Sequence, residues 1–171
     1  MTLRAMTQDR MRWCHSAATW RAILLGYAPF VAAAHLAWEI AQLPLYTIWT
    51  EGTPGELAFA VLHCTAGDLM IALSALAFAL IATRSGELAE WDLPLVGAIT
   101  VAIGLGYTLA SERLNVGLAR WTYAEAMPVV PVLDVGLSPL AQWVAVPLAA
   151  FWLLGRLRRG ARGNELRGHG A

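Results

Sequence analysis

Four apolar runs, at about residues 22–42, 57–82, 93–111 and 138–154, are each long enough to cross a bilayer, for which a helix needs about 20 apolar residues. In hydrocarbon every backbone N–H and C=O must be satisfied within its own segment or in a closed barrel. Runs of this length suit helices, so the expected fold is all-α, a four-helix transmembrane bundle. Composition agrees. The 171 residues are 58% hydrophobic and 14% charged with a mean hydropathy of +0.54, against about 25% charged in soluble domains. The formal net charge is zero and all basic residues are arginine; this is no nucleic-acid footprint. The expected partner is the lipid bilayer.

The ends and connections set the expected orientation. Residues 1–21 form a polar tail with Arg4, Arg10, Arg12 and Arg21, and Trp13 and Trp20 are spaced as interfacial anchors. Residues 156–171 form a second basic tail with Arg156, Arg158, Arg159, Arg162 and Arg167, while the first loop carries Glu51 and Glu56 and no arginine. By the positive-inside rule both termini are expected on the cytoplasmic side. The first run has no cleavage pattern behind a short core, so it is read as a retained span. Cys14 and Cys64 are too few for a disulfide framework.

Local signals mark the spans. Pro29 removes a donor and crowds the carbonyl of Leu25, predicting a kink, and Pro147 predicts another. Thr53-Pro54-Gly55-Glu56 has the form of a capping box with proline in the first turn. Ser138-Pro139 reads as a cap before the fourth span. Gly97 and Gly104, with the i+4 series Thr100, Gly104, Thr108 and Glu112, predict close approach of a neighbouring helix. The connection from Asn115 to Gly136 is apolar, aromatic and proline-rich, so it is expected to fold over the bundle end as a lid. The tryptophans are read mainly as interfacial belts.

The functional signal is a set of polar residues inside the apolar runs. His35, Glu39 and Gln42 fall at i, i+4 and i+7, one stripe of a helix. A helix rises about 1.5 Å per residue. On the expected topology His63 and Asp68 of the second span, Tyr107, Glu112 and Asn115 of the third, and Gln142 and Trp143 of the fourth therefore lie in the same outer half. Ionisable groups at such depth are costly unless paired or functional. His35 with Glu39 reads as an acid/base pair in which the carboxylate orients the imidazole. His63 and Asp68 are about 140° apart around a helix and face different neighbours, and a Thr65–Asp68 hydrogen bond is the bland reading for Asp68. His35, Glu39, His63, Asp68 and Glu112 also offer ligands suited to Fe, Zn or Mn, but no Glu-x-x-His or His-Glu-x-x-His spacing occurs. Whether a metal or cofactor binds stays open at this point.

Five stretches, Ala34-His35-Leu36-Ala37-Trp38-Glu39, His63-Cys64-Thr65-Ala66-Gly67-Asp68, Ser111-Glu112-Arg113-Leu114-Asn115, Trp121-Thr122-Tyr123 and Gly136-Leu137-Ser138-Pro139-Leu140 with Gln142-Trp143, give the chain a resemblance to small four-span bacterial inner-membrane proteins. That resemblance carries no activity. Four spans with intramembrane His and Glu are also similar in arrangement to the sterol-isomerase/emopamil-binding family. Its motifs have no residue-by-residue counterpart here, so no catalytic role is transferred.

The leading expectation is a membrane enzyme or binder that handles a small amphipathic or isoprenoid-like molecule by acid/base chemistry, such as an isomerisation. His35, Glu39, His63, Asp68 and Glu112 are the candidate catalytic residues, and Gln42, Tyr107, Asn115, Trp121, Gln142 and Trp143 the candidate binding residues. The alternatives are a small homo-oligomeric transporter with a proton or metal path, disfavoured by the apolar inner half, and a structural subunit whose buried polar residues lock helix pairs.

Overall fold

A computed structural model describes residues 12–168, with side chains over 13–159. The expected arginines Arg4 and Arg10 and the side chains of Arg12, Arg162 and Arg167 lie outside these described residues.

A 3₁₀ turn (Arg12–His15) leads into α1 (Ala17–Ala22), a π turn (Ile23–Tyr27) and α2 (Ala28–Gln42). The short α3 (Ile48–Glu51) precedes α4 (Pro54–Ala82), α5 (Leu93–Gly117), a hairpin of β1 (Val129–Val130) and β2 (Val135–Gly136), and α6 (Leu137–Gly168). Four rods qualify as spans by length and hydropathy: Ala17–Leu45, Pro54–Ala82, Leu93–Gly117 and Leu137–Arg159, of 29, 29, 25 and 23 residues. At 1.5 Å per residue they are about 35 to 44 Å long, more than the roughly 30 Å of hydrocarbon. The fold is the expected all-α bundle.

Each rod packs on two others, α2 on α4 and α6 and α5 on the same two, giving an up-down ring. The outer surface of the ring carries Leu25 (74% exposed), Phe59, Met70 and Phe78 among many other exposed apolar side chains. Such a surface far exceeds the apolar patch that a soluble monomer tolerates. This is an integral membrane protein.

The termini of the bundle occupy one end and the long connection 118–136 the other. At the termini end the core is apolar: Ala72, Leu76, Ala79, Leu80, Val96, Ala150 and Leu154 are all buried. Thr19 Oγ1 accepts from the Leu88 N–H at 3.2 Å, and Arg158 Nη1 donates to the Trp91 carbonyl at 2.8 Å. These bonds tie the 83–92 connection to the first and last rods.

Several local readings meet their geometry. Thr53 and Glu56 form the reciprocal capping box at the start of α4. The irregularity expected at Pro29 falls one turn earlier, in the π turn that contains Leu25, the residue whose carbonyl the proline ring crowds. A wider turn relieves that crowding without ending the helix. Ser138 does not cap: α6 begins at Leu137, and the Ser138 hydroxyl is used across the bundle. The third helix runs on to Gly117 instead of stopping near 111, because Glu112 and Asn115 are buried and need a continuous helix to hold them. Trp13, Trp91 and Trp143 are buried in the core, where their ring area outweighs the interfacial preference.

The small-residue stripe of α5 is where α6 approaches. Thr100, Gly104, Thr108 and Glu112 are all buried, and a Cβ placed on Gly104 would fall inside the indole of Trp143, whereas one on Gly106 would meet nothing within 4 Å. Overpacking of this kind costs about 1–3 kcal/mol, and Gly→Ala in open helix gains up to about 1 kcal/mol. Gly104→Ala should therefore lower the unfolding temperature in detergent, and Gly106→Ala should leave it unchanged or raise it, both read by thermal denaturation.

Candidate functional site

The buried face of α2 carries Val31, His35, Glu39 and Gln42. Opposite it, α4 supplies Asp68 and α6 supplies Gln142 and Trp143. The side-chain nitrogen of Gln142 lies 2.8 Å from His35 Nδ1, 3.0 Å from Glu39 Oε1 and 3.0 Å from Asp68 Oδ2, and His35 Nδ1 lies 3.2 Å from the same Asp68 oxygen. An amide nitrogen has two hydrogens. Both are used, on Glu39 and Asp68, when the proton on His35 Nδ1 points at Asp68; this tautomer is assigned from the network. His35 Nε2 is then the lone-pair nitrogen, buried and without a partner, while the ring rests against Trp143 with centroids 5.2 Å apart.

The network continues toward the 118–136 connection. Gln42 donates to Glu39 Oε1 at 2.9 Å and accepts from Ser138 Oγ at 2.8 Å, and Ser138 Oγ accepts in turn from Trp38 Nε1 at 3.2 Å. Glu39 is thus held by two amides. The expected His35–Glu39 pairing is replaced by His35–Asp68, since the Glu39 carboxyl is drawn to Gln42 and Gln142. The Thr65–Asp68 bond is also absent, for Thr65 Oγ1 is buried without a partner. His63 faces away from Asp68, exposed and stacked on Phe59 at 5.3 Å and 17°.

A second polar group lies on α5. The Tyr123 hydroxyl donates to Glu112 Oε2 and accepts from the Gly136 N–H at 3.0 Å. Asn115 donates to the carbonyl and hydroxyl of Ser111 at 2.8 and 3.1 Å and accepts from Arg120 at 3.3 Å. Tyr123 belongs to the connection 118–136, which is folded over this end and pinned there. The Thr47 N–H donates to the Thr122 carbonyl at 3.0 Å, the Ala124 N–H to the Leu45 carbonyl at 2.9 Å, and the Leu137 N–H to the Pro128 carbonyl at 2.7 Å. The Tyr46 and Tyr123 rings meet in a tilted contact, with centroids 5.6 Å apart and planes at 58°. Ala119 and Asp134, near the two ends of the connection, take φ of 52° and 53°, a region that non-glycine residues seldom adopt.

Between α2, α4, α5 and the start of α6, beneath this cover, lies a cavity of about 580 Å³, within the range of small-molecule sites. Its wall includes Glu39, Asp68 and Glu112 as well as the expected Gln42, Tyr107, Asn115, Trp121, Gln142 and Trp143; His63 stands at its edge. His35 is fully buried behind the wall and reaches the cavity through Asp68. All the candidate residues thus belong to one assembly, with His35 in its second layer. Among the described residues no three His, Cys, Asp or Glu side chains converge to hold a metal ion.

Tyr46, Cys64, Ser111, Tyr123 and Ser138 also belong to the assembly though none is among the candidate site residues above; Cys64 and Ser111 lie at the depth that the sequence assigns to the polar group. Cys64 had a signal, since it stands one helical turn before Asp68. Tyr123 and Ser138 had none, because their partners are remote in sequence. No protein-family model, curated protein or solved structure matches the chain.

Two predictions follow from these bonds. Removing the amide by Gln142→Leu takes one donor from each of two buried carboxyls, leaving Glu39 with Gln42 and Asp68 with His35, and should cost about 1–3 kcal/mol of bundle stability; thermal unfolding reads it. Burial, and for Tyr123 the bond to Glu112, push the phenols of Tyr46 and Tyr123 above the ordinary tyrosine range. A raised folded pKa gives stability that is present below about pH 10 and is lost as pH rises further. The protection factor of the Gly136 amide, taken relative to base-catalysed exchange of an unstructured amide, should fall above that pH, and Tyr123→Phe should lower it already at neutral pH.

Proposed function

We propose that this protein binds a small amphipathic molecule in the cavity and moves a proton on it. The observation that carries the reading is Asp68, which presents one carboxyl to the cavity while its Oδ2 meets the imidazole of His35 behind it. Such a pair can exchange a proton with a bound molecule and hold it on the histidine between steps. Glu39 shares the Gln142 nitrogen with Asp68 and sits within proton-relay distance of it, and Glu112 with Tyr123 offers a second acid/base pair across the cavity. In this reading Asp68 touches the ligand, His35 is its proton store, and His63, at the edge, meets the polar part of the ligand on entry. The cavity end is the outer half of an inner-membrane bundle, as the arginine distribution favours.

Acid/base work that leaves a molecule's composition unchanged is an isomerisation, and acid/base work that adds water across a double bond, or removes it, is a reversible hydration with water as the second reactant. A second reading draws on the same amide: Gln142 binds residues of α2 and α4 from its place on α6, so the network also serves as interhelical glue. A transmembrane ion path is less favoured, because the buried core toward the termini end is apolar.

Native mass spectrometry of the gently solubilised protein, with extraction of the bound fraction, tests the proposal. Wild type should carry an organic ligand at stoichiometric level. Asp68→Asn, which keeps the side-chain shape, should carry a different mixture of isomers or hydrates, or the same ligand arrested in one form. If both proteins are folded and empty, the interhelical reading replaces this one.

A further inference from the structure

The cavity has two borders with different character. Toward the end of the bundle it is roofed by the connection 118–136, held down by the backbone bonds at Thr47–Thr122, Leu45–Ala124 and Pro128–Leu137 and by Tyr123 on Glu112. Toward the side, between the first turns of α4 and the last turns of α5, it is bordered by side chains that face outward: Phe59 is 68% and Tyr107 54% exposed, and His63 is exposed beside them. All three lie inside candidate membrane spans. Surface exposure at that depth is contact with lipid.

The two helices run antiparallel, so the early residues of α4 and the late residues of α5 share one depth. A slot results whose rim carries Glu56 and Arg120 at the end of the spans, whose sides carry Phe59 and Tyr107, and whose back wall carries Asp68 and Glu112. The aromatic faces of Phe59 and Tyr107 thus flank His63 on the lipid side, and the carboxyls lie behind them. The back wall is rich in acceptors: a carboxylate only accepts hydrogen bonds, and here three of them face one cavity.

Building on the function proposed above, we infer that the ligand is a bilayer-dissolved amphiphile with a hydrogen-bond-donating head, a hydroxyl or an amine, and that it enters sideways through the α4–α5 slot while the roof stays closed. The apolar part of the molecule remains against Phe59 and Tyr107 at the slot, and its head reaches Asp68 and Glu112. A phosphate head, which offers acceptors where the back wall itself presents acceptors, is the poorer fit.

The test is photolabelling in lipid nanodiscs with two probes of equal chain length, a diazirine-bearing long-chain alcohol and the corresponding phosphate monoester, followed by peptide mapping. The roof is locked in one sample by a disulfide in Thr47→Cys/Thr122→Cys, neither residue lining the cavity; the two positions face each other across the Tyr46–Tyr123 bridge, a separation that a disulfide spans. The expected result is alcohol label on the slot and on the interior pair Gln142-Trp143, at the same rate with the roof locked or free, and at least tenfold less interior label from the phosphate. Interior labelling that falls tenfold on locking would overturn the sideways route and leave the ligand cavity standing. Equal interior labelling by both probes would overturn the donor-head assignment. Slot labelling with no interior label from either probe, in protein whose thermal unfolding shows it folded, would overturn both this inference and the cavity function.

Discussion

One side-chain amide holds the polar half of this bundle together. Gln142 stands where α2, α4 and α6 converge and satisfies a carboxyl from each of two helices while resting against an imidazole from one of them. In hydrocarbon such groups have no water to fall back on, and an unpaired one costs far more than its partnered form gains. The placement of His35, Glu39 and Asp68 therefore depends on α6 arriving in register, and that register is set one helix away, where the Trp143 ring fits over the bare backbone of Gly104. Packing and polarity meet at adjacent residues, 142 and 143.

The roof follows a similar logic. A segment with two prolines, Pro128 and Pro131, and several aliphatic residues has few backbone bonds of its own. It gains order by lending its backbone to the α2–α3 connection and its Tyr123 hydroxyl to Glu112. Of its two positive-φ residues, Ala119 follows the end of α5 and Asp134 lies in the turn between β1 and β2, where the chain reverses.

Much of this was legible in the sequence. Apolar length alone fixed four helices, because hydrocarbon permits few other solutions. The capping box at Thr53 and the small stripe around Gly104 are local patterns whose physical meaning does not depend on the rest of the chain. The stripe of His35, Glu39 and Gln42, together with a common depth for Asp68, Glu112 and Gln142, located the assembly. What could not be read was pairing. Helical spacing puts His35 beside Glu39, yet the imidazole turns to Asp68, because three helices compete for each carboxyl and only their rotation decides the outcome. Ser138 shows the same limit: Ser-Pro is a sound helix-start signal, and the hydroxyl went to Gln42, a better partner ninety-six residues away.

The apolar core at the termini end gives the cavity a closed floor. Ala72, Leu76, Ala79 and Leu80 of α4 are buried with Val96, Ala150 and Leu154, and the Tyr27 hydroxyl at that end has no partner, so among the described residues no hydrogen-bonded chain runs through to the other side. A site with one mouth must balance its protons within each cycle. On the proposed function, a proton taken from a molecule in this chamber has to be handed back to that molecule, or to the next one through the same door, so that acid/base chemistry here would leave a gradient across the membrane intact.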